Sequence, residues 1–188
     1  GLGVPHRLRP SMFEESIAIL RALWAGETVD HDGRWRIEGA RISPTPPQPI
    51  DIWIGATADV ALDRAARLGD AWLADPGSVL ADTERQLDVY RDALARYGRS
   101  AERIAIRRDV YVGESSVEAA RTMERYRGRY RGFDPRALVI GDVSEVADRM
   151  RAYAELGFTD VLIRNITRDQ REALACIERL GEVRERLA

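Results

Sequence analysis

The sequence predicts an α/β fold in which about four parallel strands alternate with helices. From residue 50 onward, short apolar runs such as "IDIWI" and "DVLI" are separated by longer segments whose apolar residues recur at helical spacing. The apolar runs are nearly continuous, as expected for strands that are covered on both faces. Four strands with their helices amount to half of a (β/α)₈ barrel, whose usual length is about 250 residues, or to a small open sheet that is complete in itself. The pattern alone leaves both architectures open.

The composition is that of a globular protein with a core of its own. Of the 188 residues, 45% are hydrophobic and 32% are charged, which argues against a disordered chain. The formal net charge is -2 and no stretch is basic or apolar for long, so neither nucleic acid nor a membrane is expected as a partner. The single cysteine, Cys176, excludes an intramolecular disulfide and a cysteine cluster for zinc. Since nothing resembles a signal peptide, these features predict a cytoplasmic protein.

The N-terminal part of the chain predicts a helix, a hairpin and a connector. A helix is expected over residues 11–25, with Ser11 as its cap and Glu14 at the capping-box position. Asp32-Gly33 stands between two short alternating arms, which is the strongest short-range signal for a β-hairpin. The prolines of residues 43–49 predict an extended connector, because each disfavours helix in the residue before it.

The remaining elements follow in order from the alternation of strand and helix. Strands are predicted over residues 50–54, 71–74, 103–113 and 158–165. Helices are predicted over residues 58–68, 79–97, 115–130 and 168–187, with a further helix from Asp142 to about Leu156. Asp142 and Glu145 have capping-box spacing, and Gly157 ends that helix. Residues 132–141 are predicted to be irregular, and the basic stretch "RYRGRYRG" is interpreted as the end of a solvated helix.

Three small residues, Gly55, Ala56 and Thr57, join the first of these strands to its helix. A junction of small residues lets another molecule approach the backbone closely, and the exposed N–H groups and the helix dipole then favour an anion. The same residues could simply form the turn. The local sequence leaves both interpretations open.

Five longer stretches carry a resemblance to a known family. They are "MFEESIAILRALWAGETVDHDGRW", "PTPPQPIDIWIGA", "ALDRAARLGDAWLA", "RRDVYVGESSVEA" and "GDVSEVADRMRAYAELGFTDVLI". From Ser11 onward the chain resembles the C-terminal half of the bacterial-luciferase-like oxidoreductases, which are TIM-barrel enzymes that use FMN or the deazaflavin coenzyme F420. The resemblance implies a single domain over residues 1–188: a partial (β/α)₈ barrel of about four strands, with the N-terminal strands missing and a small β-hairpin added.

The resemblance also implies a function. It predicts a flavin-dependent oxidoreductase of the monooxygenase type, which acts on a small organic substrate with reduced FMN and oxygen. The alternatives are hydride transfer with coenzyme F420, a non-catalytic flavin-binding fragment, and a sugar-phosphate enzyme that uses the same anion site. The catalytic residues remain unknown, since the family's N-terminal half supplies much of the bed for the flavin ring. Because two sheet edges would be left unpaired, a homodimer or other self-association is expected.

The resemblance places the cofactor phosphate over Gly55, Ala56, Thr57 and Ala58. Backbone N–H groups and the Thr57 hydroxyl would donate to the phosphate oxygens; the simpler reading is a helix cap by Thr57. Alanine replaces a family glycine at Ala56 and at Ala71, so the turn must keep a negative φ.

The positions of other polar residues in the strands indicate what they could bind or pair with. Arg164 follows "DVLI" and is a candidate for binding an anionic substrate group or a phosphate, or else it pairs with Asp169 or Glu172. Arg107 and Asp109 alternate with Arg108, and their pairing is expected between the strand and the helix layer. Trp53 and Trp72 lie on apolar strands and are expected to pack in the core. His6 and His31 have no carboxylate or second histidine at metal-ligand spacing, so neither catalysis nor metal binding is expected of them.

Overall fold

The computed structural model describes residues 5–188, which divide into two compact units. One unit ends at Ile52 and the other spans Trp53–Ala188. The single domain expected over residues 1–188 stays a prediction.

The first unit contains the expected helix and hairpin. After a short 3₁₀ turn at His6–Leu8, helix α1 spans Arg9–Trp24. Strands β1 (Val29–Asp32) and β2 (Arg36–Ala40) pair antiparallel. The hairpin predicted from Asp32-Gly33 is therefore confirmed.

The predicted cap of α1 is wrong. The helix begins before Ser11, with Leu8 at the N-cap position, and the Ser11 hydroxyl donates to the Leu8 carbonyl at 3.0 Å. The reason is Pro10, which lies in the first turn of the helix. Its fixed φ suits that turn, and its missing N–H would have had no partner there, so the helix starts earlier than the serine suggests.

Glu15 of α1 holds the hairpin loop. Its Oε2 accepts from the Arg34 N–H at 2.6 Å and lies 2.9 Å from His31 Nε2. The Trp35 indole N–H also donates to the Met12 carbonyl of the same helix, at 3.1 Å. The hydrogen bond to His31 is the main reason that the pKa of Glu15 lies below its ordinary value of 4.5.

Replacing Glu15 by glutamine is expected to lower the melting temperature at neutral pH. A depressed carboxyl pKa stabilises the folded state above the unfolded value, and that stabilisation is lost as the pH falls through the folded value. The difference between Glu15→Gln and the unmodified chain should therefore shrink below about pH 4.5. Thermal unfolding followed by circular dichroism at several pH values measures it, with Glu27→Gln at an exposed position as the control. A difference in melting temperature that grows as the pH falls would contradict the lowered pKa of Glu15.

The second unit is a five-stranded parallel sheet with helices. Its strands are β3 (Trp53–Gly55), β4 (Ala71–Ala74), β5 (Arg103–Val112), β6 (Val139–Gly141) and β7 (Asp160–Asn165). Its helices are α2 (Asp59–Leu68), α3 (Leu80–Arg96), α4 (Ser116–Tyr126), α5 (Val143–Leu156) and α6 (Gln170–Leu187). Strand β3 pairs with β4 and β4 with β5, while β5 also pairs with β6 and with β7. Within residues 5–188 the sheet does not close into a barrel.

The sheet has one strand more than the sequence predicts. Strand β6 lies in the stretch expected to be irregular, and its three residues are too few to show an alternation. Val110 of β5 pairs with both Val139 and Asn165, so β6 and β7 lie on opposite edges of β5. Pairing with β5, and not a local pattern, creates this strand.

Helix α4 ends earlier than predicted. It stops at Tyr126, and Gly128 follows with a φ of +66°. A positive φ cannot continue a right-handed helix. Most of the stretch "RYRGRYRG" therefore lies in turns beyond the helix, and its interpretation as the end of a helix is wrong.

The core of this unit lies between the sheet and its helices. Trp72 is fully buried, with its ring centroid 5.4 Å from that of Tyr90 and 5.8 Å from that of Phe158. The packing role predicted for Trp72 is thus confirmed. Cys176 is also fully buried, its Sγ accepts from the Val112 N–H at 3.2 Å, and burial raises the pKa of the thiol.

The start and end predicted for α5 are confirmed. Asp142 and Glu145 form a reciprocal capping box, and Gly157 ends the helix with a φ of +99°. Over the part of the chain that the structure describes, no helix is long and apolar enough to span a membrane.

Candidate functional site

The carboxyl ends of β3 and β4 and the middle of β5 border a cavity of about 360 Å³. Neighbouring parallel strands end at the same edge of a sheet, and this edge is where α/β proteins bind ligands. The turn after β3, the loop after β4 and one arginine of β5 form the walls. The lining residues are Gly55, Ala56, Thr57, Leu73, Ala74, Asp75, Pro76 and Arg107.

The turn from Gly55 to Ala58 leads directly into α2. Ala58 is the N-cap residue in an extended conformation, and no side chain caps the helix within residues 5–188. The interpretation of Thr57 as a helix cap is therefore wrong. The Ala61 N–H donates to the Ala58 carbonyl at 2.8 Å, but because no side chain caps the helix, the N–H groups before Ala61 can donate to a ligand.

The backbone of this turn accommodates alanine. Among the non-glycine residues that the structure describes, Arg131 alone has a positive φ, so Ala56 and Ala71 have the negative φ that alanine requires. The Ala56 carbonyl accepts from the Trp72 indole N–H at 3.0 Å, which fixes the turn to the next strand. A Cβ added to Gly55 would meet only the Leu73 carbonyl oxygen, at 3.9 Å, so the space beside it is open.

Two carboxylates near the cavity already have partners. Asp59, the first residue of α2, pairs with Arg85 at 3.0 Å. Asp75 accepts from the Gly77 N–H at 2.8 Å. These contacts offset part of the negative charge that would otherwise oppose an anion in the cavity.

Arg108 holds the loop after β4. It is fully buried, and its guanidinium donates to the Asp75 and Pro76 carbonyls, each at 3.2 Å, and to the Thr83 hydroxyl at 3.1 Å. The guanidinium also lies 4.6 Å from the centroid of the Tyr153 ring. Burial lowers the pKa of Arg108. Thr83 and Tyr153 belong to α3 and α5, so Arg108 points into the helix layer.

Arg107 and Asp109 therefore lie on the opposite face of β5, because side chains alternate along a strand. Arg107 Nε is 3.5 Å from Asp109 Oδ1, which confirms the predicted pair, but its predicted place against the helix layer is wrong. Asp109 is fully buried, and the Arg131 guanidinium lies 3.9 Å from its Oδ2. Burial first, and Asp109 second, raise the pKa of Tyr130 to about 12. No sequence pattern indicates that Tyr130 and Arg131 lie beside Asp109.

Arg164 does not line the cavity. It is exposed on β7, where its Cα pairs with that of Asp109 across the two strands. The carboxylates suggested as its partners have other contacts. Asp169 caps α6 through the Glu172 N–H, and Glu172 contacts Thr167 at 2.6 Å and Arg125 at 3.7 Å. Gly55, Ala56 and Thr57 thus come together with Arg107, while Arg164 lies further along the same edge of the sheet.

Within residues 5–188, no group of three or more His, Cys, Asp or Glu side chains is arranged to hold a metal ion.

Fold and cavity define an α/β protein with a parallel sheet and a cavity at the carboxyl edge of that sheet. More particularly, the chain belongs to the family of luciferase-like monooxygenases, whose sequence profile matches residues 1–138.

Individual relatives are similar over nearly the whole chain. An F420-dependent glucose-6-phosphate dehydrogenase of Beutenbergia cavernae is 26% identical over an alignment of 219 positions. The alignment covers 96% of this chain and 62% of the relative. One of Nakamurella multipartita is 24% identical and covers 93% of this chain and 60% of its own length. The chain thus spans about three fifths of the length of these curated relatives.

Solved structures share the fold. The monooxygenase RslO1 of Streptomyces bottropensis superimposes with a TM-score of 0.78 at 20% identity, over 95% of this chain and 61% of that one. An F420-dependent secondary alcohol dehydrogenase in complex with an F420-acetone adduct gives a TM-score of 0.76 at 14% identity, over 96% of this chain and 63% of that one. The predicted α/β fold of the TIM-barrel type, present as a partial barrel, is confirmed.

Proposed function

We propose that this chain forms the phosphate-binding part of a flavin-dependent oxidoreductase of the monooxygenase type, which acts on a small organic substrate with reduced FMN and oxygen. The observation that carries the proposal is the uncapped first turn of α2 beside the cavity. The family's own description as luciferase-like monooxygenases supports the reaction type.

A second candidate is hydride transfer with coenzyme F420. It is favoured by the relatives from Beutenbergia and Nakamurella, whose names state F420 dependence. Both candidates need the same phosphate site, so the geometry of the turn supports each equally.

The residues of the turn fit a phosphate group. We assign the binding to Gly55, Ala56, Thr57 and Ala58, whose backbone N–H groups precede the helix, with the exposed Thr57 hydroxyl as a further donor. The cavity volume lies near the lower end of the range for small-molecule sites, about 300–1,000 Å³, which suits the phosphate end of a cofactor better than the whole molecule. When bound, the flavin or deazaflavin would supply the redox chemistry, while the chain holds it in place and excludes water.

Arg164 is proposed to bind an anionic group of the substrate. It lies on β7, at the carboxyl edge that also carries the cavity, with β4 and β5 between it and the turn of β3. A guanidinium can bind a carboxylate or phosphate through two parallel hydrogen bonds.

Self-association as a homodimer, and a cytoplasmic location, belong to the same proposal. Leu162 and Ile163 of β7 are exposed by 37% and 44%, and β7 is an edge strand, so apolar surface and unpaired backbone groups are available for pairing. A partner other than cofactor and substrate, such as nucleic acid or a membrane, is not expected.

Titration of the purified chain with FMN and with F420 tests the function. We expect one of the cofactors to bind, which the change in its visible absorbance or fluorescence measures. The cofactor that binds more tightly decides between the two candidate functions. Binding without turnover of any substrate would favour a non-catalytic flavin-binding fragment. If neither cofactor binds, the proposed function is wrong for this chain.

A further inference from the structure

Asp109 is a buried carboxylate with a guanidinium facing each of its two oxygens. Its side chain is fully buried, neither oxygen receives a hydrogen bond of ordinary geometry within residues 5–188, and the Tyr130 hydroxyl interacts with it. The closest cations, Arg107 and Arg131, lie at 3.5 and 3.9 Å, beyond the roughly 2.7–2.9 Å of a charge-assisted hydrogen bond. Burying a charge in this way is costly, so the position calls for a physical role beyond packing.

The charge around Asp109 is positive overall. Arg107 and Arg131 approach its two oxygens, and Arg164 is its cross-strand neighbour on β7. Two guanidinium groups therefore face this carboxylate, and a third arginine stands on the neighbouring strand. Such a cluster has the charge to receive an anion, as long as one of its cations reaches a space large enough for a ligand.

Arg107 is the cation of this cluster that reaches the cavity. It lines the space together with Gly55, Ala56 and Thr57, and its side chain is 30% exposed. The atom that approaches Asp109 is the buried Nε, which leaves the terminal NH₂ groups as the donors for a ligand.

The turn after α4 encloses the same cluster. Arg131 has a φ of +54°, and its guanidinium lies 5.2 Å from the centroid of the Phe133 ring. Phe133 in turn packs beside Gly77, where an added Cβ would lie 3.0 Å from the ring. The loop after β4, which forms one wall of the cavity, is thereby connected to the residues around Asp109.

We propose that Arg107 binds the phosphate group of the ligand opposite the N–H groups of the Gly55–Ala58 turn, and that Asp109 is a positioning residue that fixes Arg107. The inference rests on the proposed function only in taking the ligand to be a phosphate-bearing cofactor. A phosphate dianion between a helix N-terminus and a guanidinium interacts favourably with both. Because the charge of Asp109 attracts the Arg107 guanidinium at a distance of 3.5 Å, that guanidinium loses less conformational freedom when the phosphate binds.

The test compares FMN with riboflavin, which lacks the phosphate. Arg107→Gln is expected to weaken FMN binding about 10- to 100-fold while riboflavin binding stays unchanged. Arg107→Lys keeps the charge but not the planar guanidinium, so its FMN affinity should lie between those of the unmodified chain and of Arg107→Gln. Arg103→Gln, at the exposed start of the same strand, is the matched control and should leave both affinities unchanged. Flavin fluorescence quenching measures each dissociation constant.

A double-mutant cycle tests the role of Asp109. Asp109→Asn should weaken FMN binding less than Arg107→Gln does, and the double variant Arg107→Gln/Asp109→Asn should resemble Arg107→Gln alone, because Asp109 acts through Arg107. The double variant also removes both charges together, which keeps the test informative if Asp109→Asn alone folds poorly. Additive losses, or tighter FMN binding by Asp109→Asn, would overturn the positioning role.

Titration with inorganic phosphate separates this inference from the proposed function. If the chain binds FMN and Arg107→Gln keeps the preference for FMN over riboflavin, the inference is wrong and the proposed function stands. If the chain binds no flavin but binds phosphate in a way that depends on Arg107, the proposed function is wrong and the inference stands. If neither flavin nor phosphate binds, both are overturned.

Discussion

Replacing Ala56 by aspartate is expected to weaken binding of FMN or F420 by at least about 100-fold. Ala56 is 8% exposed and lies in the turn that we assign to the cofactor phosphate. A carboxylate there would stand within a few ångströms of the phosphate, and two like charges about 4 Å apart repel by about 4 kcal/mol at the effective dielectric constant of a protein surface. Fluorescence titration with each cofactor measures the loss.

Ala56→Asn is the matched control, because asparagine has nearly the size of aspartate without its charge. It should bind the cofactor more tightly than Ala56→Asp does. Equal losses in both variants would mean that bulk, and not charge, is responsible. Thr57→Pro, which removes one N–H donor from the same turn, should also weaken binding with helical content preserved. If Ala56→Asp binds as tightly as the unmodified chain, the phosphate lies elsewhere.

Trp72→Ala is expected to lower the free energy of unfolding by about 3–5 kcal/mol, the usual cost of removing a large aromatic side chain from a core. Trp72 is fully buried against Tyr90 and Phe158. Trp72→Phe keeps an aromatic ring but removes the donor to the Ala56 carbonyl, for which we expect a loss of about 1–3 kcal/mol. Urea unfolding followed by circular dichroism measures both values.

Trp72→Phe also separates stability from function. Since the lost hydrogen bond anchors the phosphate-binding turn, the variant should bind the cofactor more weakly under conditions where it is fully folded. Trp24→Phe, at a half-buried tryptophan of the first unit, is the control. Unchanged cofactor affinity in folded Trp72→Phe would show that the indole N–H does not order the turn.

Predictions from the sequence succeeded where neighbouring residues determine the structure. The hairpin at Asp32-Gly33 and the capping box of Asp142 and Glu145 depend on contacts a few residues apart, and both are present. The two predicted caps that failed, Ser11 and Thr57, also follow local rules. In each case the backbone places the start of the helix one or more residues away from the expected cap.

Residues far apart in the sequence decided the rest. Strand β6 exists because β5 offers it an edge, and three residues cannot show a periodicity of their own. Alternation along β5 correctly separated Arg108 from Arg107 and Asp109, yet the helix-facing side is defined by Thr83 and Tyr153, which belong to other elements. The turn that brings Arg131 to Asp109 depends in the same way on packing between Phe133 and the loop at Gly77.

The sequence by itself determined the α/β class, the order of most elements and the small-residue turn at Gly55–Ala58, because these follow from local composition and from the period of apolar residues. Only the tertiary structure decided that Arg107 shares a cavity with that turn, and that Asp109 is buried beside it. The physical reason is that a cavity and its charges are properties of strand ends that meet across the sheet, and their residues lie dozens of positions apart in the chain.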